Sequence, residues 1–177
     1  MNFLVIITEI MIKDSKYFKV PDYTKGQLTM LVLLRVAIGW HFFYEGLVKV
    51  LNPNWSSAAF LMDSKGLFER LFYAMAANPD ILNVVNFLNQ WGLLIIGICL
   101  MVGLFEKVAS IAGIALLIMY YLSHPSLIGV KYAAPGEGSY LLINKNLIEA
   151  LAIGINIWFP NSRLIGFERL IYMVRNK

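Results

Sequence analysis

Four long apolar stretches constrain this chain more than any other feature of its sequence. They cover residues 28–51, 81–105, 108–123 and 141–159, and the third is the shortest. A helix needs about 20 mostly apolar residues to cross the ~30 Å hydrocarbon layer of a membrane. Inside that layer only helices and closed barrels satisfy every backbone N–H and C=O group, and the alternation typical of barrel strands is absent. The stretches predict an all-α integral membrane protein, a four-helix bundle.

The rest of the chain divides around these spans. With 59% hydrophobic and 15% charged residues, the composition is too apolar for an ordinary soluble domain. We expect residues 1–27 to form an N-terminal interfacial and cytoplasmic extension, 28–160 the transmembrane domain, and 161–177 a basic amphipathic tail on the cytoplasmic side. Between the first two helices we expect an amphipathic interfacial segment of two short helices.

The basic residues predict how the chain is oriented. Positively charged residues favour the cytoplasmic side of a membrane. They precede the first span, lie between the second and third, and follow the fourth, whereas only Lys65, Arg70 and Lys131 fall in the opposite loops. We therefore expect a multi-pass protein of the cell (inner) membrane with both termini cytoplasmic. This bias accounts for the net charge of +4, so a nucleic-acid partner need not be invoked.

Polar side chains recur at one depth of the predicted bundle. In the first span His41, Glu45 and Lys49 follow one another at i, i+4 and i+8, which places them on one helix face, and Arg35 continues the same side. The later spans add Asn86, Gln90, Tyr121, Lys145, Asn146 and Glu149. Apart from Arg35, which should lie nearer the cytoplasm, these residues fall in the outer half of the membrane. Because ionisable groups there are costly unless they are paired or face a cavity, the pattern predicts a polar pocket.

Simpler explanations exist for each group. Glu45 with Lys49, and Lys145 with Glu149, are i, i+4 pairs that could only neutralise each other. The amides of the second span could serve only to hydrogen-bond neighbouring helices. Arg35 could extend towards the cytoplasmic interface or meet Glu106.

The sequence also restricts the possible cofactors. Cys99 is the single cysteine, so this chain cannot build a disulfide relay or an iron–sulfur cluster. His41 and His124 should differ in depth by roughly 15 Å at about 1.5 Å per residue, which disfavours a bis-histidine haem, and we expect no metal site. A small site with apolar walls and polar edges could instead hold a quinone head group.

Several motifs, in order, are similar to those of a known family. They are RVAIGWHFFYEGLVK at 35–49, NPNWSS at 52–57, WGLLIIG at 91–97, GLF at 103–105 and NKNLIE at 144–149. Over about residues 28–170 the chain resembles the DoxX family of four-helix bacterial and archaeal membrane proteins. That resemblance implies a membrane subunit of a redox complex, as in thiosulfate:quinone oxidoreductases, with a redox partner subunit or a homo-oligomer in the lipid bilayer. It points to Arg35, Glu45, Lys49, Lys145, Asn146 and Glu149.

Two functional hypotheses follow. In the first, the chain interacts with quinone or quinol: Glu45 or Glu149 accepts a proton, His41 donates a hydrogen bond or relays the proton, and the lysines stabilise negative charge. In the second, the chain is a non-enzymatic scaffold or a small-solute or partner-binding protein whose charges form an internal salt-bridge network. A transporter is less favoured, because inverted repeats are not evident.

Overall fold

The computed structural model describes residues 22–133 and 141–175, and within them every regular element is a helix. The predictions for residues 1–21 of the N-terminal extension and for residues 176–177 of the basic tail lie outside the described residues. We number the helices α1 (Lys25–Leu51), α2 (Ala58–Met62), α3 (Glu69–Ala77), α4 (Pro79–Phe87), α5 (Leu93–Val102), α6 (Glu106–Ser123), α7 (Lys145–Trp158) and α8 (Phe167–Arg175).

Helix α1 is the longest element and begins three residues before the predicted span. Thr24 and Gln27 form a capping box, in which each side chain accepts a hydrogen bond from the other residue's backbone N–H. The helix ends at Leu51, just before the Asn52-Pro53 step. At 27 residues it extends for about 40 Å, enough to cross the hydrocarbon layer.

The second span is continuous from Pro79 to Val102 but is not a regular α-helix throughout. Asn78 caps its start by accepting from the backbone N–H groups of Asp80 and Ile81. A π-helical turn at Leu88–Gly92 joins α4 to α5. The helix ends at Val102, and its C-cap Gly103 has a φ of 67°, in the left-handed region that glycine adopts without strain. The predicted end at residue 105 is therefore three residues too late.

Glycines allow α1 to pack directly on α5. A Cβ atom on Gly97 would lie 2.3 Å from the backbone nitrogen of Phe43, and one on Gly46 would lie 2.5 Å from that of Leu94. Gly39 faces the same helix, with a Cβ position 2.8 Å from the backbone nitrogen of Met101. Small residues of this kind let membrane helices approach closely enough for backbone contact. The core beside this seam contains Phe42, Leu100 and Ile153.

The fourth helix differs from its predicted length. Helix α7 has 14 residues and begins at Lys145, with Asn144 as its N-cap, rather than at residue 141. Leu141 has a φ of 65°, which is incompatible with a helix there. At about 21 Å α7 is shorter than the hydrocarbon layer. The all-helical prediction is confirmed, and three helices of the described chain, α1, α4–α5 and α6, are long and apolar enough to span a membrane.

Two short helices, α2 and α3, lie between the first and second spans, and the amphipathic α8 follows α7. Helix α8 is attached to the bundle at Gly103, whose carbonyl accepts from the backbone N–H of Glu168 at 2.9 Å. A Cβ on Gly166 would lie 2.8 Å from the same carbonyl oxygen, so the two glycines permit the contact.

Candidate functional site

One large cavity, of about 1040 Å³, receives most of the sequence-predicted site residues. Its apolar wall includes Phe42 of α1, Phe60 of α2, Leu93 of α5 and Leu117 of α6. The polar groups on its lining that were predicted from the sequence are His41, Glu45, Lys49, Lys145, Asn146 and Glu149. A cavity with apolar walls and a few convergent polar groups is the usual form of a small-molecule site.

His41 and Glu149 form a close polar contact between α1 and α7 in this cavity. The Nδ1 atom of His41 lies 2.7 Å from the Oε1 atom of Glu149. The two residues belong to α1 and α7 and are 108 positions apart. The Glu149 side chain is 13% exposed and that of His41 46% exposed, so the imidazole remains accessible while the carboxylate is largely covered. A proton could pass between the two groups along this hydrogen bond.

Glu45 and Lys49 pair within α1. The Nζ atom of Lys49 donates to the Oε2 atom of Glu45 at 2.7 Å and to its backbone carbonyl at 3.1 Å. The same ammonium group lies 5.8 Å from the ring centroid of Trp55, within the range of a cation–π contact. The i, i+4 pairing expected as a simple explanation is therefore present for these two residues.

Helix α7 contributes its polar groups at its first turns. Asn144 accepts from the backbone N–H of Leu147 at 3.0 Å and thereby fixes the start of the helix. Lys145, Asn146 and Glu149 then follow within one and a half turns, all on the cavity lining. This polar end of α7 lies beside His41, which Glu149 contacts.

Four predicted site residues do not line the cavity, and three of them make structural contacts nearby. The Asn86 side-chain oxygen accepts from the backbone N–H and the hydroxyl of Ser57, at 2.8 and 2.7 Å. Gln90 donates to the carbonyl of Lys49 at 3.4 Å. The hydroxyl of Tyr121 donates to the carbonyl of Leu142 at 2.9 Å.

Arg35, the fourth, lies near the other end of the bundle. Its Nη1 atom is 3.9 Å from Oε1 of Glu106, and its Nη2 atom donates to the carbonyl of Ile165 at 2.8 Å. The Arg35 and Glu106 side chains are 2% and 1% exposed. The other carboxylate oxygen of Glu106 accepts from the backbone N–H groups of Asn161 and Ser162. The structure thus separates Arg35 from the cavity and joins it to the segment that follows α7.

The cavity also contains a polar pair that was not among the predicted site residues. The hydroxyl of Tyr120 on α6 donates to the side-chain oxygen of Asn89 in the π turn, and both residues are on the cavity lining. Helical periodicity gives no means of locating a π turn, so the direction of Asn89 could not be read from its spacing. The depth of Tyr120 in the third span could have indicated a site residue, but the prediction favoured the neighbouring Tyr121.

His124 lies on the cavity lining at the end of α6. Its ring stacks on Phe60 at a centroid distance of 4.0 Å and lies 4.5 Å from the Tyr132 ring, while its Nε2 atom is 3.8 Å from Oδ2 of Asp63. Burial lowers the pKa of His124 below its ordinary value, although the Asp63 carboxylate opposes this shift. The same carboxylate accepts from the backbone N–H of Ala133 at 2.7 Å, so it also holds the following loop.

Metal ligands are not grouped in the part of the chain that the structure describes. No set of three or more His, Cys, Asp and Glu side chains there could hold a metal ion. His41 and His124 each engage a carboxylate instead, Glu149 and Asp63 respectively.

Comparison with known proteins gives one result. The model of the DoxX family matches residues 30–125, which cover more than half of the chain. The matched region includes α1 from residue 30 onward and all of α2 to α6, but not α7 with its polar first turns. No curated protein and no solved structure matches the chain.

Proposed function

The chain belongs to the DoxX family, and on that premise we propose that it is the membrane subunit of a redox complex that binds quinone or quinol in the cavity between α1 and α7. The observation that carries the proposal is the 2.7 Å contact between His41 and Glu149 on the wall of a cavity of about 1040 Å³. A histidine hydrogen-bonded to a carboxylate is an arrangement that can both bind a carbonyl oxygen and exchange a proton with it.

The residues present fit such a ligand. Phe42, Leu93 and Leu117 provide apolar surface for a flat ring, and His41 offers its second ring nitrogen to one oxygen of the head group. A volume of about 1040 Å³ is at the upper end for small-molecule sites, so a substituted ring with part of an apolar tail can be accommodated. A bound quinone would supply a two-electron, two-proton acceptor.

The polar residues of this chain then have separate tasks. His41 binds the oxygen and holds or releases the proton at its Nε2 atom, while Glu149 orients the imidazole through Nδ1 and stabilises its protonated form. The Lys49 ammonium group already donates to the Glu45 carboxylate, so we assign this pair to setting the local charge. We assign the exchange of electrons with the bound quinone to a partner polypeptide.

The proposal is tested by solvent extraction of the purified, detergent-solubilised protein, followed by mass spectrometry of the extracted quinones. We expect a quinone content near one per chain in the natural sequence, and roughly 10- to 100-fold weaker retention in Glu149→Gln, because a hydrogen bond to a charged group contributes about 1.5–3 kcal/mol. Glu69→Gln provides a matched control, since it makes the same chemical change on α3 at a residue that is not on the cavity lining.

Two results would contradict the proposal. One is a protein without quinone that still does not bind added quinone after reconstitution. The other is equal retention in Glu149→Gln, in His41→Leu and in the control. A chain that holds no quinone but keeps a partner through α2 and α3 would favour the scaffold hypothesis.

A further inference from the structure

Asn89 and Tyr120 line the cavity but have no role in the proposed function. Asn89 lies in the π-helical turn Leu88–Gly92, between α4 and α5. A π turn inserts one residue into the helix, which rotates the side chains after it by about 100°, and such turns are frequent at functional sites. Here the turn faces α1, since the Gln90 side chain reaches the Lys49 carbonyl. The preceding residue, Asn89, is directed instead to α6, where it contacts Tyr120.

The hydrogen bonds of Asn89 fix the orientation of its amide group. Its nitrogen donates to the carbonyl of Val85 at 2.9 Å, and its oxygen accepts from the hydroxyl of Tyr120. A side-chain amide has two N–H donors, so one N–H of Asn89 has no partner among the described residues. The phenol oxygen of Tyr120 also keeps its capacity to accept.

The Tyr120 ring is held in place from the other side. Phe60 packs against it edge to face, at a centroid distance of 5.8 Å and an interplanar angle of 82°. Phe60, Asn89 and Tyr120 all line the cavity that His41 and Glu149 line. The remaining donor of Asn89 is thus part of a rigid group, and holding it towards a ligand costs little further conformational entropy.

A purely structural role would be to hydrogen-bond α6 to the second span, as polar residues in membrane helices often do. Asn86, one turn earlier, illustrates that role: its side-chain oxygen accepts twice from Ser57, its nitrogen donates to Ser56, and it is not on the cavity lining. Asn89 differs because it lies on the wall of the cavity, where its remaining donor can meet a ligand. The difference favours a ligand contact.

We propose that Asn89, positioned by Tyr120, is the second head-group contact of the cavity and hydrogen-bonds the carbonyl oxygen that His41 does not reach. This inference rests on the proposed function. Its ligand class is a ring with two oxygens on opposite sides, such as a 1,4-quinone. In the reduced ligand the corresponding hydroxyl donates to the phenol oxygen of Tyr120, so the same pair serves both redox forms.

The test compares two ligands without tails, menadione with two carbonyl groups and 1-tetralone with one. Their dissociation constants are measured by isothermal titration calorimetry on the full chain in detergent. We expect Asn89→Leu and Tyr120→Phe each to weaken menadione binding about tenfold, the usual effect of losing one hydrogen bond. Binding of 1-tetralone should weaken by no more than about twofold, because its single carbonyl can still use His41. Asn83→Leu is the matched control, since Asn83 is exposed on α4 and is not on the cavity lining.

Each other outcome rejects the inference in a recognisable way. Equal menadione affinity in Asn89→Leu and Asn83→Leu, with weaker binding in Glu149→Gln, would overturn the role of Asn89 and leave the proposed function standing. Equal losses for both ligands in Asn89→Leu and Tyr120→Phe would show that the pair only supports the cavity. Failure of the natural sequence to bind menadione would overturn both.

Discussion

At the scale of single residues, Arg35 and Glu106 form a buried pair at the end of the bundle away from the cavity. Breaking a buried ion pair by removing one charge leaves the other uncompensated and costs about 3–5 kcal/mol. We therefore expect Glu106→Gln to lower the free energy of unfolding by roughly that amount, measured by tryptophan fluorescence during titration with SDS.

Glu45→Gln is the comparison for this prediction. It breaks the Lys49 pair, in which the Glu45 side chain is 52% exposed, and pairs of that kind contribute about 0–1 kcal/mol. Losses of equal size in the two variants would contradict the importance given to Arg35 and Glu106.

The second prediction at this scale concerns His124. Burial lowers its pKa in the folded protein, while Asp63 opposes the shift and Lys65 adds to it. Just below pH 6.5 the unfolded chain therefore binds more protons at His124 than the folded chain does. The contribution of the neutral His124 to folding stability is complete above that pH and is lost as the pH falls through the folded-state pKa. We expect the thermal unfolding midpoint to fall between pH 7.5 and 5.5, and to fall less in His124→Gln. An identical pH dependence in both proteins would show that His124 contributes nothing to it.

The polar face of α1 could be predicted from the sequence, but its contact with α7 could not. The shared face of His41, Glu45 and Lys49 follows from their spacing alone, because residues at i and i+4 are neighbours on any helix. The Glu149 partner of His41 could not be predicted, since the relative height and rotation of α1 and α7 depend on packing across the whole bundle. The sequence instead offered Lys145, four residues before Glu149, as the partner of that carboxylate.

At the scale of elements, the seam between α1 and α5 depends on glycine. A methyl group on Gly97 would lie 2.3 Å from a backbone nitrogen of α1, and backbone atoms cannot move aside as a flexible side chain can. We expect Gly97→Ala to separate the two helices and to lower the free energy of unfolding by about 1–3 kcal/mol.

Gly154→Ala is its control on α7. Nothing lies within 4 Å of the Cβ position there, so the same substitution should leave stability unchanged or raise it by up to about 1 kcal/mol through helix propensity. The two variants are compared by the same SDS titration. A Gly97→Ala protein as stable as Gly154→Ala would mean that the seam is not tightly packed.

The helices themselves were largely predictable, and the exceptions have local causes. Apolar length located α1, α4–α5 and α6 to within a few residues, because a membrane span must satisfy its own backbone. The start of α7 was predicted too early because Leu141 is as apolar as any helix residue, and only its positive φ excludes it. The π turn at Leu88–Gly92 has no composition of its own.

At the scale of the whole molecule, the orientation in the membrane is still a prediction from charge. Lys107 follows the turn between the second and third spans, and Arg70 lies on α3 between the first and second. The distribution of basic residues places the first on the cytoplasmic side and the second outside. Both residues are exposed, so a reagent in water can reach a cysteine at either position.

Single-cysteine labelling in intact cells tests this orientation, in a Cys99→Ser background that removes the one native thiol. We expect a membrane-impermeant maleimide to label Arg70→Cys in intact cells and Lys107→Cys only after the cells are opened, because one side of the membrane is closed to the reagent. Each variant removes one positive charge, so the two are matched in their effect on the charge bias. The reverse labelling pattern would place the His41–Glu149 end of the cavity in the inner half of the membrane, and a redox partner that exchanges electrons with it would then have to dock from the cytoplasm.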